Sequence, residues 1–255
     1  MTDNRGTDSE YRRILGINFF GGSASHAIAI IRRGGLLVVP AAPALKDLDW
    51  DMSYREALLG SDLAITDSAM MVLVWNLIAR DHVYRLSGLE YLRALLLEED
   101  VRRPGNTVWI MASPKRAATN LNWLKSSGIE IPPECIYMAP MYGKTIDDPE
   151  LLALLERQRP QHVIVTIGGG TQERLGLYLK RNLTFLPAIH CIGAAIAFLS
   201  GDQVHIPEWG DKYYLGWLMR CFSEPRRYVP RYWSARKLLG LMVRYRSELP
   251  ALRTS

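Results

Sequence analysis

Two short stretches carry residue types that could perform group transfer. HVIVTIGGGTQE (residues 162–173) joins an apolar, β-branched run to three consecutive glycines, Gly168, Gly169 and Gly170, and then to Gln172 and Glu173. Glycine lets backbone N–H groups approach a phosphate closely, and a helix opening behind the turn adds the positive end of its dipole. Gln172 and Glu173 would lie in the first turn of that helix, beside whatever fills the crevice. Glycine is also simply the residue that fits a tight strand-to-helix connection, so the run by itself leaves a phosphate site and a structural turn both open. No GxGxxG opens the helix and no acid ends a strand about 20 residues on, so a nucleoside diphosphate fits better than NAD.

The second stretch, SDLAITDSAMMV, sets Asp67 and Ser68 between an apolar strand pattern and an apolar helix pattern. An acid is costly to bury there unless paired, and a buried one is a candidate general base. Either Asp67 or Ser68 could instead cap the helix that follows. Arg85, Ser87 and Gly88 form a further polar knot, equally explained as the start of a helix, and Ser113 ends another apolar run. His190 and His205 are lone imidazoles, a kind that more often serves structure than chemistry.

The elements that must position these residues alternate. RILGINFFGG reads as a strand, SASHAIAIIRRGG as a helix capped by Ser23, and LLVVPAAPAL as a strand leaving its sheet at Pro40. SYREALLGS (opened by Ser53), AMMVLVWNLIARD and GLEYLRALLLEED read as helices around the strand DLAITDS. NTVWIMAS, ECIYMAPMYG, HVIVTIGGG and TFLPAIHCIG are strands separated by the helices PKRAATNLNWLKSSG, DPELLALLERQRP and TQERLGLYLKRN. This rhythm predicts an α/β fold, a Rossmann-like parallel sheet flanked by helices. Ligands of such sheets sit beyond the carboxyl ends of the strands, where Asp67, Ser113 and the 168–172 loop all fall.

The 255 residues are 48% hydrophobic with a net charge of +5. The longest uncharged apolar run, IHCIGAAIAFLSG, is too short to span a bilayer, and MTDNRGTDSEYRR has no signal-peptide core, so cytoplasmic residence is expected. Three scattered cysteines show no metal spacing, and Cys191 and Cys221 read as small buried hydrophobes. No helix-turn-helix, zinc-finger or RNP pattern points to nucleic acid. From Arg220 to Arg246 the chain holds eight basic residues and one acid, Glu224, and Trp217, Tyr228, Tyr232 and Trp233 accompany Arg226, Arg227 and Arg231. Leu238, Leu241, Met242, Tyr245 and Leu249 share one helical face there; such a segment suits either an anionic membrane surface or packing on its own domain. It is read as a basic, aromatic, helical C-terminal appendage, dividing the chain into a 13–205 core and a 206–255 appendage. The apolar faces of 69–79 and 89–97 are compatible with a homo-oligomer and equally with core packing.

Three segments resemble the WecG/TagA/CpsF glycosyltransferases of bacterial surface-polysaccharide and teichoic-acid synthesis. GGGTQERLGLYL is similar to that family's G-x-P-x-Q-E element, and SDLAITDSAMMV resembles A-D-x-x-x-P-D-G-x-G-x-V. IGAAIAFLSGDQVHIPEWGDKYYLGWLMRCFSEPRRYVPRY resembles the family's C-terminal signature, and the order holds from about Leu15 to Tyr232. The resemblance implies an inverting, metal-independent transfer from a UDP-sugar to a polyprenyl-diphosphate-linked saccharide by a peripheral enzyme on the inner membrane face, with no cofactor. It implies Asp67 as general base and Gln172 against donor or acceptor hydroxyls. Gly168–Gly170, Glu173, Ser68, Arg85, Ser113, Arg220, Arg227 and Arg231 would bind substrate.

This chain departs from the pattern at the T-x-N-x-E element, where Pro40 and Ala42 replace polar residues, and at Gly170, Ser68, His205 and Gly216. These changes cluster on the substrate side. A non-catalytic subunit binding a nucleotide sugar or lipid diphosphate, and a Rossmann enzyme using NAD or ATP, are the competing expectations.

Overall fold

The computed structural model describes residues 10–201 and 216–253. Eight strands form one sheet: β1 (Tyr11–Ile14), β2 (Ile17–Phe20), β3 (Gly35–Val38), β4 (Leu63–Ile65), β5 (Thr107–Met111), β6 (Ile136–Met138), β7 (His162–Val165) and β8 (Ala188–Cys191). Their order is β1-β2-β4-β3-β8-β7-β5-β6. Only β1 and β2 pair antiparallel; every other neighbouring pair is parallel. The expected Rossmann-like α/β architecture is therefore present. One expected strand, RILGINFFGG, is instead the β1–β2 hairpin, turned by Leu15 and Gly16 at φ +50° and +77°. Both turn residues are left-handed, as tight hairpins require, but leucine is not the residue that announces such a turn.

β3, β5, β7 and β8 are buried along their whole length, because helices cover both faces. Register aligns Leu36, Ile189, Val163 and Val108 in a row on one face. Leu37, His190, Ile164 and Trp109 form the corresponding row on the other. Right-handed crossovers set the face of most helices by the direction in which the strand connection runs; α4 is the departure, lying on the face opposite to α5 and α6 of the same β4-to-β5 connection. α1 (Ala24–Ile31), α5 (Gly88–Leu95), α6 (Glu99–Arg102), α7 (Pro114–Ser126) and α10 (Ala195–Ser200) cover the Trp109 face. α2 (Ala42–Leu45), α3 (Met52–Leu59), α4 (Ala69–Ala79), α8 (Pro149–Gln158) and α9 (Thr171–Asn182) cover the other.

Two helices follow residue 215, α11 (Gly216–Ser223) and α12 (Pro225–Tyr245). The face of α12 that suited either a membrane or its own domain is occupied. Ala235, Leu238, Leu241 and Met242 are buried in the same core layer as Leu36 and Val38, and α12 packs on α2 and α4. Beyond it, the carbonyls of Arg246 and Ser247 accept the N–H groups of Leu15 and Gly16 (2.8 and 2.9 Å), and Arg253 Nε donates to Asp49 Oδ2 (2.7 Å). The expected boundary at residue 205 lies outside the described residues, and from Ala235 onward one face of α12 is part of the core layer. Burial accounts for part of the two apolar faces. In 89–97, Leu89, Tyr91, Leu92, Leu95 and Leu96 are core and Leu97 is exposed, whereas α4 buries Met71, Val72 and Trp75 and leaves Leu73 and Leu77 exposed.

Candidate active site

The seven parallel strands deliver their carboxyl ends to one edge. Along it stand, in strand order, Asp67 after β4, Pro40 after β3, Gly193 after β8, Gly168–Gly170 after β7 and Ser113 after β5. From β7 the chain turns back toward β8, and from β5 it turns outward to β6, so the two connections diverge. That divergence opens a crevice between the glycine loop and Ser113, the place where doubly wound sheets receive ligands. Ser113 precedes α7, its side chain partly exposed and making no cap hydrogen bond.

Which residue caps α4 decides what Asp67 can do. Ser68 is the cap: its Oγ accepts the Met71 N–H (3.2 Å) and its side chain is buried, so this hydroxyl is engaged in holding the helix rather than offered to substrate. Asp67 is left to face the edge. Its Oδ1 accepts the Gly88 N–H at 2.9 Å, at the start of α5, and the Arg85 guanidinium lies 3.8 Å from the same oxygen. Arg85 Nε also donates to the Asp67 carbonyl (2.7 Å), and Thr66 Oγ1 bonds the carbonyl of Tyr84 and the N–H of Leu86 (2.8 and 2.9 Å). The strand end and the 84–88 segment are thus tied at several points, and the acid is fixed with its side chain 24% exposed. Among the described residues nothing donates to Oδ2. The polar knot Arg85–Ser87–Gly88 is therefore the clamp on Asp67, with Ser87 also capping α5 through its bond from Glu90 N–H (3.0 Å).

The glycine loop is open. A Cβ added at Gly168, Gly169 or Gly170 would meet nothing within 4 Å, and Gly168 and Gly169 are exposed. Gly170 is at φ +89°, a conformation that glycine alone adopts cheaply, and it sets the direction in which α9 starts. Glu173, expected against substrate, instead points inward and is fully buried. Helix geometry is the reason: the third residue of a helix reaches back to the cap, and here Glu173 Oε2 accepts the Gly170 N–H at 2.6 Å. Its other oxygen takes Gln172 Nε2 at 3.1 Å. Burial raises the Glu173 carboxyl to about 7 against the bonds from Gln172 and Gly170 and the charge of Arg174, which lower it.

Gln172 is 2% exposed, with its amide 3.4 Å from where a Cβ on Gly193 would stand. Gly193 belongs to the turn that ends β8, and the carbonyl of neighbouring Ile192 lies against Gly88, the residue that holds Asp67. The two residues expected to act together, Asp67 and Gln172, are thus brought to one edge on either side of the Ile192–Gly193 turn.

Residues that carried no weight in the sequence complete the network. α3 packs beside α9 with both amino ends at this edge. Arg174 NH1 reaches Asp51 Oδ2 (3.3 Å) and Ser53 Oγ (3.4 Å), and its NH2 reaches Thr171 Oγ1 (3.3 Å). The expected opener of α3, Ser53, lies inside the helix; Asp51 caps it through the Tyr54 N–H (2.9 Å). Tyr54 is buried against Glu173. Only the adjacency of Arg174 to the Gln-Glu pair could have flagged it.

Other candidates fall elsewhere. His190 lies on the Trp109 face in a buried chain, Tyr91 OH to His190 Nδ1 (2.8 Å) and His190 Nε2 to His162 Nδ1 (3.1 Å), a structural role. Cys191 is buried as expected, and Cys221 is partly exposed. His205 and the side chains of Arg220, Arg227 and Arg231 lie outside the described residues. Pro40 and Ala42 are buried or nearly so at the β3 end, which offers no side-chain polar group there.

No curated protein matches the chain. The family model described as "Glycosyl transferase WecG/TagA/CpsF family" matches residues 12–251, from β1 to beyond α12, and so includes Asp67 with its clamp, the glycine loop with Gln172, and the C-terminal helices. The chain belongs to the WecG/TagA/CpsF glycosyltransferase family.

Proposed function

We propose that this glycosyltransferase moves a sugar from a UDP-sugar to a polyprenyl-diphosphate-linked saccharide, with inversion and without a metal ion, on the inner face of the membrane during synthesis of an exopolysaccharide or cell-envelope glycan. The observation that carries the reading is Asp67: a carboxylate clamped through Oδ1 at the carboxyl edge, with Oδ2 facing no donor among the described residues. In the reaction Oδ2 takes the proton of the acceptor hydroxyl as that oxygen attacks the anomeric carbon from the face opposite the departing UDP. The Gly168–Gly170 loop receives the diphosphate on its backbone N–H groups, with the α9 dipole behind it. Gln172 meets a sugar hydroxyl. Negative charge developing on UDP is offset by that dipole and by Arg220, Arg227 and Arg231; the Asp47–Asp49–Asp51 run has DxD spacing, but Asp49 is paired with Arg253 and Asp51 with Arg174.

No helix among the described residues is long and apolar enough to cross a membrane. The outward face of α12 supports peripheral contact instead. Val229, Trp233 and Val243 are exposed there among Arg226, Arg236, Lys237 and Arg244, and the Arg236 guanidinium lies 4.2 Å from the Trp233 ring centroid. Exposed apolar groups rimmed by cations suit an anionic lipid surface.

The test is a transfer assay with a panel of UDP-sugars and a polyprenyl-diphosphate-linked acceptor, with and without EDTA, the product's anomeric configuration being read by NMR. Transfer that survives EDTA and inverts the anomer supports the reading; transfer requiring a divalent ion, or retention, overturns it. A second reading, a non-catalytic subunit that binds a nucleotide sugar or lipid diphosphate, is favoured by the apolar β3 end at Pro40 and Ala42. UDP binding with no transfer to any acceptor would select it.

A further inference from the structure

We propose that Glu173 is a positioning residue whose charge decides which end of the Gln172 amide, carbonyl or NH2, is presented to a sugar hydroxyl at the carboxyl edge; this rests on the sugar-transfer reading. Among the described residues six buried side-chain polar atoms lack a partner, and three of them, Gln172 Oε1, Tyr54 OH and Arg174 Nε, belong to residues around Glu173. Folded chains leave few such atoms, so their concentration here marks a place that a ligand or a rearrangement completes.

The two states of the pair follow from donor and acceptor counting. A charged carboxylate only accepts, so it must face the Gln172 NH2 group, as it does at 3.1 Å. Gln172 Oε1 is then turned away from Glu173 with no partner, ready to accept from a hydroxyl. A protonated Glu173 donates through Oε1–H instead. The amide turns over about its terminal torsion, a soft rotation, and brings NH2 to the side away from Glu173. In both states Oε2 keeps the Gly170 N–H, so the glycine loop stays in place while the amide reverses.

The surroundings leave this carboxyl as the group that changes charge near neutrality. It sits at about 7 through burial, opposed by its hydrogen bonds and Arg174. From α3 it faces Tyr54, from β8 Cys191, both pushed up by burial and by Glu173 and therefore neutral. The charged neighbours Asp51 and Arg174 pair with each other at 3.3 Å.

The first readout needs no ligand. Side-chain amide NMR signals of Gln172, identified by their loss in Gln172→Met, are followed in the ligand-free protein from about pH 5.5 to 8.5. They should shift with a midpoint near that of Glu173 and stop doing so in Glu173→Gln. Signals that ignore this midpoint, or still follow it in Glu173→Gln, overturn the proposal. The second readout is the affinity of UDP-glucose and UDP-N-acetylglucosamine relative to UDP. The ratio should change about tenfold between pH 6 and pH 8, the scale of one lost hydrogen bond to a buried group, and become flat in Glu173→Gln. A flat ratio in the wild type overturns the proposal. Coupled amide signals with no binding of UDP or either sugar nucleotide would overturn the sugar-facing role together with the donor assignment; UDP-sugar binding with silent amide signals would overturn the switch alone.

Discussion

Asp67 Oδ1 accepts a backbone N–H from Gly88 and lies 3.8 Å from the Arg85 guanidinium, and only the second contact depends on its charge. In Asp67→Asn the amide Oδ1 can still accept from Gly88, so the clamp survives while the base is lost. Transfer should fall by at least about 100-fold, the scale of general-base catalysis, with the melting temperature within about 2 °C of wild type. Undiminished transfer would remove Asp67 from the chemistry. Ser68→Ala should do the reverse, costing about 1 kcal/mol of stability through the lost cap and leaving kcat near wild type; heat unfolding and steady-state rates separate the two. The sequence set these neighbours side by side without saying which one capped α4. The assignment came from the chain 20-odd residues on, where Gly88 meets the carboxylate. Glu173 was misplaced for a similar reason: its position in the first turn was legible, but its inward direction depends on the burial of α9 against β3 and β8.

At the scale of elements, α9 lies very close to the sheet. A Cβ on Gly176 would stand 2.5 Å from Leu36 Cδ1 and 2.7 Å from Cys191 Sγ. Gly176→Ala should therefore cost about 1–3 kcal/mol, as overpacking does, and weaken UDP binding because α9 carries the glycine loop. Calorimetric titration and urea unfolding check both. The outward face of α12 gives the complementary case. Trp233→Ala with Lys237→Glu should reduce sedimentation with anionic liposomes while leaving the melting temperature within about 2 °C, since both side chains are exposed. Removing the helix is the wrong experiment, because it would uncover the core layer that Leu238 and Met242 fill. The strand and helix pattern of the core was largely legible, since buried parallel strands and amphipathic helices advertise themselves by period. The β1–β2 turn, the short helix α2 and the docking of α12 were not: each is settled by contacts distant in sequence.

The whole molecule carries two opposing proton linkages. His162 and His190 are buried and both pushed below the ordinary imidazole value, chiefly by burial. Below about pH 6.5 the unfolded chain therefore binds protons that the folded pair refuses, and stability falls as pH drops. Glu173 acts oppositely. Its raised carboxyl keeps a proton in the folded state between an unfolded value of 4.5 and about 7, so stability falls as pH rises through that window. The two slopes partly cancel between about pH 5 and 6.5. Glu173→Gln removes one and should steepen the loss on acidification by up to about 1.4 kcal/mol per pH unit; urea unfolding at successive pH values measures it. A variant slope equal to wild type would mean that the carboxyl titrates alike in both states. No part of this balance is visible in the composition, which lists ordinary histidines and glutamates.

The pairing of β3 with β8 also governs how the protein comes into being. Gly35 pairs in register with Ala188, its N–H donating to the Pro187 carbonyl (3.0 Å), and the turn after β1 is tied to Arg246 and Ser247. During synthesis β3 leaves the ribosome with one edge uncovered, and its partner Ala188 follows 153 residues after Gly35 (188 − 35). An apolar strand edge open for that long is a surface for mispairing, so the nascent chain should depend on a holding chaperone and refold slowly from denaturant. The sheet is complete only once Arg246 and Ser247 reach the β1–β2 turn, and activity should appear only after that segment has left the ribosome.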